Sequence, residues 1–436
     1  MSGRPLGAHL LMVALGAAAW LSATAHAQQP SFRSAVDLIA VEVQVVDNDG
    51  RPIAALNPSS FQVTINGHTR RVLSADYIQT TTPDGAPVVA RTGVGPSASN
   101  VWPTTGASSV AGRIYILAFD LASLTLADSR AVVATSRDFI SRLQPQDKVG
   151  LYTFPIGPRV IPTTDHAMVS AKVNTITGNK RSFGHDFNLS PSEIIDINAE
   201  AARQMTQLRR PAAGAPALVG DESTTIRKVQ LRECGNGELR CVEDIIAEAQ
   251  NAAFLMEGDA IEGLNGLREL VRLLTTYEGR KTVVMFSSGI ASSDRPGGRP
   301  DMGNLPKTLG QDAAATNTTI YTLHIDTGDL HAMSAETQRA DKTGTRSRDG
   351  AVQRRVLDEF SWASGGALMR VATGSGEYAL TRVLRETSSH YLLGVEPDAA
   401  DRDGRLRQLR VKVSQPGVTV RSRQWVVVPI RRMLAP

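Results

Sequence analysis

Along the chain, apolar and polar positions change period three times. Between Leu38 and Tyr77 they alternate with a period of two. Leu38–Asp47 ends in the turn-forming Asp47-Asn48-Asp49-Gly50, and Phe61, Val63 and Ile65 alternate up to Asn66-Gly67. Asn-Gly between alternating runs is a strong hairpin signal, so three or four antiparallel strands and no helix are predicted here. Gln79–Ser109 loses all period and is dominated by Thr, Pro, Gly, Ser and Ala, which reads as a linker or surface loop.

From Arg113 the pattern becomes strand, helix, strand, helix. Arg113–Asp120 is a short apolar run that stops at a carboxylate, as a strand buried on both faces would. Val132, Ser136, Phe139, Ile140 and Leu143 then share a helical face over Ala127–Leu143. Lys148–Phe154 is the next strand. The turn Pro155-Ile156-Gly157-Pro158 is too short for a parallel crossover, so Arg159–Ile161 must return antiparallel, at an edge that tolerates Pro158 and Pro162. Thr164-Asp165 caps a helix whose apolar face is Met168, Val169, Val173 and Ile176.

Residues 178–240 read as an insertion. In it, Ser190-Pro191-Ser192-Glu193 is a capping box opening a helix that ends near Arg209, and Pro211–Asp221 is flexible in composition. Val242–Thr275 carries the longest helical pattern, with Gly258 and Gly263 as points where it could divide in two. Strands at Lys281–Phe286, Ile320–Ile325 and Ala367–Val371 alternate with helices at Leu309–Thr316, Val352–Ser364 and Glu377–Thr387. The last stretch alternates again over Ser389–Val395, Arg405–Val413 and Val418–Val428.

The fold class expected is α/β, a doubly wound and mostly parallel sheet with one antiparallel edge strand over residues 113–388. The strands at 31–78 and 389–430 are each too few to close a core alone. The economical solution is one Ig-like β-sandwich made from both ends, joined to the α/β part by a linker at 79–112.

Arg4, the apolar run Leu10–Leu21 and Ala25-His26-Ala27 predict a signal peptide over residues 1–27, and hence an exported, periplasmic or extracellular protein. The alternative, a membrane anchor, needs about 20 apolar residues, more than this run supplies. No later stretch could span a membrane. The 436 residues are 42% apolar, enough for real cores, and the net charge of +4 is mixed along the chain without a basic tract, which gives no support for nucleic-acid binding.

Export changes how the two cysteines are read. Cys234 and Cys241 flank a glycine-containing loop, and in an oxidising compartment such a pair forms a local disulfide. A zinc site would need further ligands nearby, and a nucleophilic cysteine would need a histidine.

Ligands of open α/β sheets bind beyond the carboxyl ends of the strands, so attention falls on Asp120, with Ser288 and Asp326 at other strand ends. The bland reading of Asp120 is a carboxylate that caps the next helix. Motif searches find no G-x-S-x-G elbow, no H-E-x-x-H and no P-loop lysine. The 8 histidines are scattered, with His166, His324 and His331 nearest to strand ends. No enzyme is therefore expected.

Five stretches carry a resemblance. They are Val45–Pro52 (VVDNDGRP), Phe61-Gln62-Val63, Gly279–Gly289 (GRKTVVMFSSG), Ser364-Gly365-Gly366 and Tyr391–Pro397 (YLLGVEP). In this order they are similar to bacterial exported VWFA-related proteins, and the strand–helix–hairpin order of the middle resembles a von Willebrand factor type A domain. The resemblance implies a divalent metal bound through a D-x-S-x-S turn, a threonine and a later aspartate, with a partner protein's carboxylate completing the shell. This sequence departs from that set. Asp120 fits, but Ala122 and Leu124 replace the serines, Ser123 and Thr125 offer hydroxyls one residue late, and Ser288 replaces the aspartate. The threonine has three nearby candidates, Thr164, Thr175 and Thr177. The expectation is a degenerate site of Asp120, Ser123 and Thr125 with no cofactor, magnesium or calcium being the ions it would take. The function expected is non-enzymatic binding or scaffolding of another protein in the cell envelope. A hydrolase without a recognisable motif and a purely structural envelope component are the alternatives.

Overall fold

The computed structural model describes residues 38–81, 87–94, 112–209, 224–235, 239–325, 345–371 and 376–430. The predicted signal peptide, Asp326, His331 and the stretch Pro211–Asp221 lie outside them. Among the described residues no helix is long and apolar enough to cross a membrane.

The chain opens with β1 (Ile39–Val46), β2 (Phe61–Ile65), β3 (His68–Thr81) and β4 (Pro87–Val94). The Asn66-Gly67 turn joins β2 and β3 as predicted, with both residues in the left-handed region at φ 49° and 83°. The stretch read as a linker is in part sheet: β3 runs on to Thr81, and Pro87–Val94 pairs with it antiparallel. Backbone pairing there prevails over a composition without period.

The α/β part follows, beginning with β5 (Ile114–Asp120), α1 (Leu126–Ser141), β6 (Lys148–Phe154), β7 (Arg159–Thr163) and α2 (His166–Val173). The insertion supplies α3 (Pro191–Arg209) and α4 (Thr225–Glu233), then α5 (Leu239–Leu273) leads back to the sheet. Next come β8 (Lys281–Ser287), α6 (Leu305–Ala315), β9 (Thr318–Ile325), α7 (Arg346–Ala363), β10 (Leu368–Val371) and α8 (Gly376–Glu386). The strands order β10-β9-β8-β5-β6-β7, all parallel except β7 at the edge. Successive side chains of β5 face opposite cores. Tyr115, Leu117 and Phe119 meet Phe139 of α1, Val169 of α2 and Val383 of α8. Ile116 and Ala118 meet Leu267 of α5, Leu309 of α6 and Phe360 of α7. Two-faced burial is why β5 reads as a continuous apolar run.

The glycines in α5 do not divide it; the helix is continuous over 35 residues. Gly258 has open space around it and Gly263 only ordinary contacts, and close packing instead calls for a third glycine, Gly266. A Cβ on Gly266 would lie 2.8 Å from Phe154 Cβ, so only glycine lets α5 settle this near β6. The front half of α5 packs with α3 and α4 around Leu189, Ile194, Ile197, Val229 and Ile245, a small core of the insertion. Cys234 and Cys241, at the α4–α5 junction, lie at disulfide distance with Cα atoms 6.5 Å apart.

The chain closes with β11 (Ser389–Glu396), β12 (Leu406–Val413), β13 (Thr419–Arg421) and β14 (Trp425–Val427). The single strand expected over Val418–Val428 is two, because Thr419–Arg421 pairs with β1 while Trp425–Val427 pairs with β12. Both ends of the chain do combine, in the order β13-β1-β11-β3-β2-β12-β14, with β4 on β3. They form one curled antiparallel sheet, not the two face-to-face sheets of an Ig-like sandwich. The cause is the length of β3: it pairs with β2 through Thr69 and Arg70 and with β11 from Arg71 onward, so one strand serves both halves. Val41, Val43, Val63, Ile65, Leu393 and Leu409 fill the concave side. Arg70 and Asp401 lock this sheet with a two-pronged pair at 2.6 and 3.0 Å.

Candidate functional site

At the carboxyl end of β5 the chain must turn before α1, and it spends its hydroxyls there. Ser123 N and Oγ both donate to the carbonyl of Asp120, at 3.2 and 3.0 Å. Thr125 does not face the strand end. It caps α1, its Oγ1 accepting from Asp128 N at 3.1 Å while Asp128 Oδ2 accepts from Thr125 N at 3.0 Å. The expected trio is thereby split: Asp120 and Ser123 converge, and Thr125 is occupied by the helix.

The neighbouring strand completes the site. Ser287, at the end of β8, donates to Asp120 Oδ2 at 2.8 Å, and its Oγ accepts from Gly289 N at 3.1 Å. Ser288 N donates to Ser123 Oγ at 3.0 Å, and Ser288 Oγ donates to Asp128 Oδ2 at 3.3 Å. Behind the carboxylate stands Gly263 of α5, where even a Cβ would come within 3.9 Å of Asp120 Oδ1.

Lys180 reaches this place through the backbone. Asn179 N donates to Leu121 O at 2.8 Å and Lys180 N to Leu124 O at 3.0 Å, which lays the loop after α2 along the β5–α1 turn. Gly178 makes the approach possible, since a Cβ there would sit 2.3 Å from Leu124 O.

Asp120, Ser123, Lys180 and Ser288 form the floor of a cavity of about 420 Å³. Its walls are Phe183, Leu189 and Ile194 from the insertion, Met256 from α5 and Ile290 after β8. Arg181 at the rim is held by Asp259, with Nε donating at 3.1 Å. An apolar wall around a few convergent polar groups is the usual make-up of a binding cavity.

Electrostatics give the floor an unusual carboxylate. Burial pushes Asp120 up to about 6, against the hydrogen bonds from Ser287 and Ser123 and the charge of Lys180. Lys180 as a residue is largely exposed, yet desolvation of its ammonium lowers its pKa, opposed by Asp128 and Asp120. Asp128 Oδ1 is buried with no hydrogen-bond partner.

These residues do not fit a divalent ion. Calcium and magnesium take six or more hard oxygens, usually with several carboxylates. Here Asp120 lines the floor, its Oδ2 already accepts from Ser287, Asp128 lies behind it engaged by Thr125 N and Ser288, Asp259 at the rim holds Arg181, the serine hydroxyls bond one another, and a lysine supplies positive charge. The acidic trio His185, Asp186 and Glu248 lies elsewhere, and both Glu248 oxygens accept backbone N–H groups, of Asp186 and Phe187. Neither His166, which bonds Asp147 O at 2.8 Å, nor His324 lines the cavity.

The serine pair Ser287-Ser288 was visible in the sequence as the end of a strand. Asp128 and Lys180 were not, because one is indistinguishable from any helix-cap residue and the other arrives by backbone contacts alone.

No family model matches the chain, and no curated protein matches it. Among solved structures it is similar to the human COPII-coat protein Sec24c, at 8% identity and a TM-score of 0.28, over 74% of this chain and 45% of that one. The chain thus spans less than half the length of that protein, and a likeness of this size decides neither fold nor function.

Proposed function

We propose that this is an exported, non-enzymatic binding or scaffold protein of the cell envelope, with a von Willebrand factor type A-like α/β part whose partner protein docks over the Asp120 cavity. The observation that carries the reading is the cavity itself, at the carboxyl ends of β5 and β8, with Asp120, Ser123, Ser288 and Lys180 converging beneath apolar walls. The strand order, with a single antiparallel strand following the β6–β7 hairpin at one edge, supports the type A-like reading. In place of a metal, Lys180 provides the positive charge that would meet an acidic side chain of the partner.

The test is a pull-down from envelope extracts with wild type, Lys180→Glu and Ala122→Trp. Retention of one protein by wild type and its loss in both variants supports the reading. A partner held equally by all three, or a hydrolytic activity abolished by Asp120→Ala, overturns it. Thermal melts with calcium, magnesium and manganese complete the test. Sub-millimolar stabilisation that vanishes in Asp120→Ala would restore the metal site and with it metal-dependent adhesion.

A further inference from the structure

The opposite end of the parallel sheet carries an unbalanced set of charges. Where the start of β8 meets the curled sheet, a cavity of about 20 Å³ is lined by Glu42 of β1, Arg280, Thr318, Arg421, Ser422 and Arg423, among others. Two of these cations are answered poorly. Arg280 reaches Thr319 Oγ1 at 3.5 Å and Arg423 donates through Nη1 to Ala314 O at 3.1 Å, while the Nε of each is buried with no hydrogen-bond partner. Arg421 is taken up by Glu386, at 2.6 and 3.2 Å. Lys281 adds a third cation, its Nζ bonded to the Tyr277 carbonyl. Against Arg280, Arg423 and Lys281 stands one carboxylate, Glu42, which accepts from Asn317 Nδ2 at 3.0 Å. His390 adds no charge near neutrality, since burial drives it down to about 4.

A buried N–H without an acceptor calls for a bound water or ion. The space suits a single small particle, since roughly 10–15 Å³ or more holds one water. The charge decides which. Two guanidinium groups facing one carboxylate, with the charge of Lys281 close by, favour an anion over a neutral molecule. Its absence would leave Arg280 and Arg423 repelling each other. The same repulsion shows in Arg423, whose guanidinium is held below its usual value first by desolvation and also by Arg280.

We propose that the chain binds one small monovalent anion, of chloride or bromide size, between Arg280 Nε and Arg423 Nε, and that this anion fastens the curled sheet to the α/β part. Glu42 and Arg423 come from the sheet, Arg280 and Asn317 from the α/β part, so the ion sits across their junction. The site is independent of the Asp120 cavity, at the other end of the strands.

Crystals grown in bromide, with anomalous scattering, test the position. Melts at fixed ionic strength, exchanging gluconate for chloride, test the energetics. The expected result is a bromide peak between the two guanidinium groups and a melting temperature rising about 1–2 °C per tenfold chloride above its dissociation constant. Sulfate, too large for the space, should not substitute. Arg280→Gln should abolish the chloride dependence. Should that variant not fold, Glu42→Gln serves: it keeps the acceptor for Asn317 and removes the competing charge, so chloride affinity should rise several-fold. No anomalous peak together with equal melting in both salts would mean a water, and would overturn the proposal.

Discussion

Replacing Asp120 by asparagine isolates what its burial costs. In the folded chain Asp120 holds its proton up to about pH 6, against a reference value of 3.8. Between these values the folded state binds more protons than the unfolded one, so this group makes stability fall as pH rises. About two pH units correspond to about 3 kcal/mol, lost in wild type between pH 4 and 7 and absent from the variant. Asparagine keeps an acceptor for Ser287 but adds an amide N–H₂ beside Gly263, at a cost of about 1–2 kcal/mol. Asp120→Asn should then be less stable than wild type at pH 4 by that amount, and more stable at pH 7.5 by about 1–2 kcal/mol. Urea denaturation followed by the fluorescence of Trp362 and Trp425, at half-unit pH steps, measures the difference. Other carboxylates titrate in both proteins and cancel in the subtraction. A difference that stays flat from pH 4 to 7.5, or that falls with pH, would refute the reasoning and show that Lys180 and the serines more than compensate the buried charge. A confirmed rise would mean that the protein retains at this strand end a carboxylate that weakens it, the pattern expected where binding, not stability, sets the residue.

Gly178→Ala should destabilise by about 1–3 kcal/mol through the 2.3 Å approach to Leu124 O, and denaturation curves will show it. Arg70→Met leaves Asp401 unpaired in the curled sheet and should cost about 3 kcal/mol at neutral pH. Asp401 is held below the usual carboxylate range chiefly by Arg70, against its own desolvation, so the wild-type advantage is present above pH 4 and is lost as pH falls through the folded value. Alkylation of the unreduced protein should modify neither Cys234 nor Cys241, two reactive thiols would contradict the pairing, and Cys241→Ser should cost about 2–3 kcal/mol at most.

What the sequence disclosed follows from how local each signal is. Strand β5, its two-faced burial and the capping boxes at Thr125 and Ser190 are written in a few consecutive residues, and the Asn66-Gly67 hairpin in two. The continuity of α5 was hidden, because Gly258 and Gly263 look in sequence like glycines that end a helix, although the helix runs through both. Strand β4 was hidden because its pairing with β3, not its composition, makes it a strand. At the site, Asp120 and Ser123 were legible as the end of a strand. The capping duty of Thr125 was legible too, in the Thr125-x-x-Asp128 spacing, but a metal-binding role competed for the same hydroxyl. The reach of Lys180 was legible nowhere, since two backbone hydrogen bonds place it.

The interleaved ladder of the curled sheet constrains the order of events during synthesis. Ile39 pairs with Val395, and Val45 with Val420, so β1 waits for nearly the whole chain before it finds either neighbour. The intervening α/β part pairs mostly with near neighbours and can close first, bringing the ends of its own segment together and shortening the loop that remains. Until then β1, β2 and β3 have open edges and an apolar face carrying Val41, Val43, Phe61 and Val63. A nascent chain of this design holds those strands exposed until its end is made, and its slowest step should be the late annealing of β11 between β1 and β3, not the folding of the part that carries the cavity.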